Sequence, residues 1–277
     1  MNISFIGGGD RVEACYKLFE GKSGFTPIGF FCNPISGCSK IADKYKCAIF
    51  LDIDSLCSKS EVIVIATEDA MLPAVVQTLT RLHIHDKIII SIADGISAHE
   101  LDTGYDNTYV VLSAPVPFEQ MNDKELAEAS VVCEGYGGKY DLLCTFFNLG
   151  GFSCSRLTPA QMRLYRANMH LLHYGILSLI ITANKLCKIT TDDKHHNIAP
   201  AVRNAIKSAS YGTSAISEPY KTGKPQQIKE LINTFENNGI DSIAQLYGAV
   251  AKVITENSRM ENDVADDIFR MLRQINH

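Results

Sequence analysis

The residues best suited to chemistry come first. The apolar run "NISFI" leads into Gly7, Gly8 and Gly9, and then "DRVEAC". Glycine lets a backbone turn sharply after a strand and approach a pyrophosphate with no Cβ in the way. A helix opening behind that turn aims free N–H groups and its positive dipole end at an anion. Val12 stands where the G-x-G-x-x-G fingerprint has its last glycine, a position that serves helix–strand packing more than phosphate contact. The pattern points to dinucleotide binding, with a plain strand-to-helix turn as the competing reading. Asp10 would repel a phosphate unless it turned away, and Arg11 offers a compensating charge.

A second cluster tests the first. NAD binders place an acid after the second strand to hold the ribose hydroxyls. Here the stretch is "FFCNPISGCSK", without Asp or Glu. Asn33, Ser36, Ser39 and Lys40 stand where a 2′-phosphate would lie, which favours NADP over NAD and leaves NAD open; Lys40 taken alone reads as a solvated helix charge. After the run "EVIVIAT", Ala66, Thr67 and Asp69 would flank the cofactor, and Asp69 is expected to cap the next helix. Asp94-Gly95 is expected to form a turn near the nicotinamide ribose.

A third group lies on one predicted helix. Arg166, Met169, His170 and His173 fall at i, i+3, i+4 and i+7 and share a face. Arg166 could anchor a carboxylate and His170 could hold a proton. The alternative is that the histidines are packing residues. His195 and His196 beside Asp192 and Asp193 read as a solvated loop rather than a metal site, because no third ligand follows at suitable spacing. No nucleophile elbow is present, which argues against a hydrolase.

These residues need elements to position them. Strand-like runs at 3–7, 26–32, 47–50, 61–67, 87–93, 108–115 and 129–135 alternate with helix-like runs at 11–18, 36–45, 71–82 and 141–151. That rhythm predicts an α/β fold over 1–155, a doubly wound parallel sheet covered by helices on both faces. The remainder, 156–277, reads as all-helical. It opens on a capping box, Thr158 with Gln161 and Pro159 in the first turn, leading a helix over 158–186. Further helices are expected at 198–211, 225–238, 240–257 and 261–275. A helix as apolar as the first needs covering, so a homodimer through the C-terminal helices is expected.

Composition narrows the partners. The chain has 277 residues, 46% of them hydrophobic, and a net charge of −5. It carries no basic stripe, which argues against nucleic acid. The apolar stretch 171–183 contains His173 and is too short to span a bilayer. No basic-then-apolar leader opens the sequence, so a cytoplasmic location is expected. The nine cysteines are scattered without a C-x-x-C, and all are expected to be unpaired thiols.

Five segments together carry a resemblance. "ISFIGGG", "SEVIVIATEDAMLPAVVQTL", "IIISIADGISAHEL" and the helical stretches "LYRANMHLLHYGILSLIITANKL" and "AISEPYKTGKPQQIKELINTF" are similar to the Rossmann-like NADP oxidoreductases with a C-terminal helical domain. That group is related to pyrroline-5-carboxylate reductase and 6-phosphogluconate dehydrogenase. The resemblance implies that 1–155 is a Rossmann domain and 156–277 a substrate and dimerisation domain. It also implies a cofactor across the C-terminal sheet edge, a small-molecule substrate, and hydride transfer to an acidic or imine-type metabolite. It covers nearly the whole chain, with departures. Where the family tends to His-Pro this chain has Ala114-Pro115, and where it tends to Tyr-His it has Tyr165-Arg166. It has Tyr174 in place of an Asn, and Ser217-Glu218-Pro219 in place of Thr-Gly-Pro. Those departures keep open a catalytically degenerate nucleotide sensor or a dimeric binding scaffold.

Overall fold

The computed structural model describes residues 1–151, 153–190, 197–217, 219–221, 223–258 and 260–275. The strands are β1 (Asn2–Ile6), β2 (Thr26–Phe31), β3 (Ala48–Ile49), β4 (Val62–Ile65), β5 (Ile88–Ser91), β6 (Thr108–Ser113), β7 (Ser130–Tyr136) and β8 (Ser153–Arg156). They form one sheet in the order β3-β2-β1-β4-β5-β6-β7-β8. The first six follow the Rossmann order, with its reversal between β1 and β4. The chain divides into two compact units, Met1–Ile176 and Leu177–His277.

The central strands are buried on both faces, and their sequences show why. Ile3, Phe5, Val62 and Val64 enter one apolar cluster, while Ile6, Ile63 and Ile65 enter another. The two-residue strand period sends successive side chains to opposite faces, so both faces must be apolar. The first cluster is covered by α1 (Gly9–Phe19), α2 (Ser36–Tyr45) and α6 (Tyr140–Leu149), which contribute Leu18, Ile41 and Phe147. The second is covered by α3 (Ile53–Lys59) and α4 (Leu72–Arg81), through Leu56, Leu72 and Leu79. Val12 is fully buried in the first cluster, the packing role expected of it.

The parallel expectation holds from β1 to β6 and again between β7 and β8, but β7 runs antiparallel to β6. The connection between them explains this. Its one α-helix, α5 (Asp123–Ala127), is five residues long and too short to cross the sheet. The chain stays at the edge where β6 ends, with Asp123 paired to Lys17 at 2.6 Å, and re-enters the sheet in the opposite direction. Two elements had weak sequence signals. β8 is a largely exposed edge strand, and α3 is short, nucleated by Asp52, whose Oδ1 accepts the Ser55 N–H at 2.6 Å.

Thr158 and Gln161 form the expected capping box: the Thr158 N–H donates to Gln161 Oε1 at 2.9 Å and the Gln161 N–H to Thr158 Oγ1 at 3.3 Å. From it runs α7 (Pro159–Thr190). In the second unit, α8 (Ala199–Ala209) precedes α9 (Pro225–Asn237), α10 (Asp241–Asn257) and α11 (Asn262–Ile275), close to the expected spans. The last three bury Ile228, Ile232, Ala251 and Ile268 among themselves. No helix among the described residues is long and apolar enough to cross a membrane.

Phe5 is fully buried, with ring contacts to Tyr16, Phe19 and Phe30. Phe5→Ala is expected to cost about 3–5 kcal/mol of unfolding free energy in a denaturant titration. A loss under about 1 kcal/mol would show that this ring does not anchor α1 to the sheet.

Candidate functional site

The glycine turn lies between β1 and α1 and is held by its neighbours. The Gly7 N–H donates to the Phe31 carbonyl at 2.9 Å. Gly7 has φ +143°, and a Cβ on it would sit 2.5 Å from the Ala66 carbonyl oxygen. The turn therefore packs directly on the backbone at the end of β4, and glycine is required on both counts. A Cβ on Gly8 would lie 3.1 Å from the Gly37 carbonyl oxygen, so the turn is also packed against the start of α2. Gly9, at φ +68°, has open space around it. Gly8 is the N-cap of α1, with no side chain capping the helix. The first N–H groups of α1 therefore present an anion-binding end at an exposed turn.

Arg11 does not turn to Asp10 or outward to a phosphate. Its Nη1 donates to the Thr67 carbonyl at 2.7 Å and to Asp69 Oδ1 at 2.9 Å, and its Nε lies 3.5 Å from Glu119. Partial burial disfavours the guanidinium charge, but the Asp69 hydrogen bond and the two carboxylates outweigh it and raise its pKa. The expected helix cap by Asp69 is not formed. A 3-10 turn over Asp69–Met71 precedes α4, with no side-chain cap, because the Asp69 carboxylate is engaged by Arg11. Thr67 Oγ1 is buried with no hydrogen-bond partner among the described residues.

Asn33 and Ser36 are exposed after β2, at the turn into α2. Here the cysteine expectation is overturned: Cys32 and Cys38 form a disulfide that brackets both residues. Six residues apart and outside any familiar spacing motif, they meet because the chain reverses between strand and helix. Cys15, Cys47, Cys57, Cys133, Cys144 and Cys154 remain thiols, as expected.

A pocket of about 130 Å³ opens at the same sheet edge. Its walls are Arg11 of α1, Ile92 and Asp94 beyond β5, the stretch Ser113–Gln120 from the last residue of β6 onward, and Arg166, Met169, His170, His173 and Tyr174 of α7. The helical spacing thus brings its four residues to one wall, and Asp94-Gly95 forms the expected turn, with Gly95 at φ +82°. Tyr165 and Asn168 do not line the pocket.

Arg166 is 8% exposed, and its fork is occupied by backbone. Nη1 donates to the Ile96 carbonyl and Nη2 to the Ala93 carbonyl at 3.4 Å, clamping the 93–96 turn. Its buried Nε has no partner among the described residues. Burial lowers its pKa, opposed by the charges of Asp94 and Glu134. Buried Glu134 accepts the Ala98 N–H at 3.1 Å, fixing the same segment from below. His173 meets the Tyr174 ring edge-on at 4.8 Å. Glu119 and Glu134 escaped the sequence reading. Glu119 lies in a short 3-10 turn over Phe118–Gln120, too brief to leave a sequence pattern, and Glu134 sits in an apolar strand where only its buried placement marks it. Asp192, Asp193, His195, His196 and Glu218 lie outside the described residues.

The exposed turn fits a dinucleotide: an uncapped helix end, a glycine cradle that a Cβ would fill, and an orphaned hydroxyl on Thr67 beside it. No family model and no curated protein matches the chain. Solved structures do. An NADP oxidoreductase from Bacteroides fragilis superposes with TM-score 0.68 at 13% identity, over 93% of this chain and 98% of that one. An imine reductase from Myxococcus stipitatus, in complex with NADP+, gives TM-score 0.68 at 14% identity over 100% of both chains. A 1-pyrroline-5-carboxylate reductase from Streptococcus pyogenes gives 0.54 at 14%, over 99% of this chain and 98% of that one. The chain therefore has the fold of the Rossmann-type NADP oxidoreductases, imine reductases and pyrroline-5-carboxylate reductases, as its sequence resemblance implies.

Proposed function

We propose that this chain is an NADP(H)-dependent reductase acting on a small acidic or imine-type metabolite, with NAD(H) as the alternative cofactor. One observation carries the reading: an uncapped glycine turn and a walled pocket share the C-terminal edge of a Rossmann sheet, where such folds hold nucleotide and substrate. When bound, the dinucleotide supplies the hydride. The protein's part is to bind, orient and supply a proton.

Gly7, Gly8 and Gly9 with the N–H groups of α1 receive the pyrophosphate. Asn33 and Ser36 receive the 2′-phosphate. Ala66, Thr67 and Asp69 form the floor, with Arg11 locking Asp69 in place. Arg166 sets the 93–96 turn and lends the pocket wall a buried positive charge that favours an anionic substrate. His170 holds the proton. The division of labour is a nucleotide-binding domain over 1–155 and a helical domain over 156–277. The proposed location is the cytoplasm, where the buried thiols of Cys15, Cys57, Cys133 and Cys144 stay reduced.

The partner is a second copy. α7 presents Arg166, Met169, His170 and His173 to the pocket, while Leu164, Leu171 and Leu172 lie around its other side, 71%, 73% and 54% exposed. A leucine stripe on a helix is covered in the working assembly. Sedimentation is expected to give twice the monomer mass, and Leu171→Asp to shift the species toward monomer; a monomeric wild type overturns this.

One observation favours a second reading, a nucleotide sensor without turnover: both pocket arginines are already engaged by carboxylates or carbonyls. Thermal shift separates the possibilities. NADPH at a hundred times its dissociation constant stabilises the fold by about 2.7 kcal/mol. Gly7→Ala is expected to abolish that gain and to lower the basal melting temperature steeply, whereas Gly9→Ala, strained at its φ of +68° but with no neighbour for the Cβ to meet, should lower it less. No stabilisation by NADPH, NADP, NADH or NAD refutes nucleotide binding. Stabilisation without NADPH oxidation across a panel of imines and keto acids supports the sensor. Turnover that falls at least tenfold in His170→Gln, with NADPH affinity kept, supports the reductase.

A further inference from the structure

We infer that the Cys32–Cys38 disulfide is a redox-controlled clamp on 2′-phosphate recognition, so that oxidation tightens NADPH binding and reduction by a dithiol loosens it. The inference rests on the cofactor reading above.

The bridge joins the residue after β2 to the third residue of α2, Cα atoms 6.1 Å apart, and closes Asn33–Gly37 into a loop. The loop residues are exposed, while Cys32 and Cys38 are 7% and 0% exposed beneath them. Both sulfurs lie against the Ile35 carbonyl oxygen, at 3.4 and 3.6 Å. Asn33 and Ser36, the groups assigned to the 2′-phosphate, are thus inside the closed loop and have their backbone positions set by it.

The loop also touches the pyrophosphate turn. Gly37 packs on Gly8 so closely that a Cβ there would sit 3.1 Å from its carbonyl oxygen. Cys32 directly follows Phe31, whose carbonyl receives the Gly7 N–H. The bridged loop therefore borders the pyrophosphate turn, but that turn is held by its own contacts of Gly7 with Phe31 and Ala66, so the bridge acts chiefly on the 2′-phosphate side. A loop held in shape before binding loses less freedom when it binds.

The step is thiol–disulfide exchange. One thiolate of a dithiol attacks a cysteine sulfur and expels the other as thiolate, giving a mixed disulfide. The reagent's second thiolate then closes its own ring and releases the first cysteine. The dithiol loses two electrons, and Cys32 and Cys38 gain them and take up two protons. By linkage, NADPH must favour the oxidised clamp by the same factor that the clamp favours NADPH.

The test is calorimetric titration of the full chain with NADPH and NADH, under mild oxidant and under dithiothreitol, with Cys32 and Cys38 thiols counted by alkylation and mass spectrometry. Reduction is expected to weaken NADPH roughly five- to tenfold and NADH by less than about twofold. Cys32→Ser and Cys38→Ser should each match the reduced protein and ignore dithiothreitol. If a serine variant fails to fold, the two states of the wild type still decide. Equal NADPH affinity in both states, an equal loss for NADH, tighter binding after reduction, or cysteines that never pair would each overturn the clamp. Equal affinities would leave the cofactor reading standing. Absence of binding by any nucleotide in either state overturns both.

Discussion

The approach of Gly7 to the Ala66 carbonyl is the contact on which the site depends. A Cβ there would lie 2.5 Å from that oxygen, so β1 and β4 can bring their ends together only over a bare backbone. Because they do, the end of α1 faces solvent at the sheet edge. Arg11, one turn into that helix, reaches Thr67, Asp69 and Glu119 in one span. Three connections, after β1, β4 and β6, are thereby tied to one guanidinium. The sheet beneath is rigid because its central strands are buried on both faces, so each connection inherits a fixed starting point.

A second arginine does similar work from the helical side. Arg166 is buried, and its fork holds the carbonyls of Ala93 and Ile96, with Glu134 fixing Ala98 from below. Two cations in the pocket wall are thus spent on shape. The groups left to meet a ligand are His170, His173 and Tyr174, with Asp94 opposite. Such a site orients a molecule by walls and a few polar atoms, which suits chemistry in which a bound dinucleotide does the redox work.

The short connection around α5 has consequences beyond topology. Since the chain never crosses back, Ala114–Gln120 stays at the site and becomes pocket wall, and β7 enters antiparallel, placing Glu134 under the 93–96 turn. A full crossover helix would have carried those residues to the far edge.

Much of this was legible in the residues alone. Local rules determined the strand–helix alternation, the glycine turn, the Thr158 capping box, the helices of the second unit and the face shared by Arg166, Met169, His170 and His173. Each depends on period, cap or turn chemistry that acts within a few residues. What only the tertiary structure decided are pairings between distant segments: Arg11 with Asp69 and Glu119, Arg166 with two carbonyls, β7 with β6, and Glu134 beneath the site. The Cys32–Cys38 bridge belongs with them although it is short in sequence, because it forms only where the end of a buried strand folds back against a helix. Type and spacing say what a side chain can do; which partner it finds depends on the free energy of the packed whole, and that is not written in any one stretch.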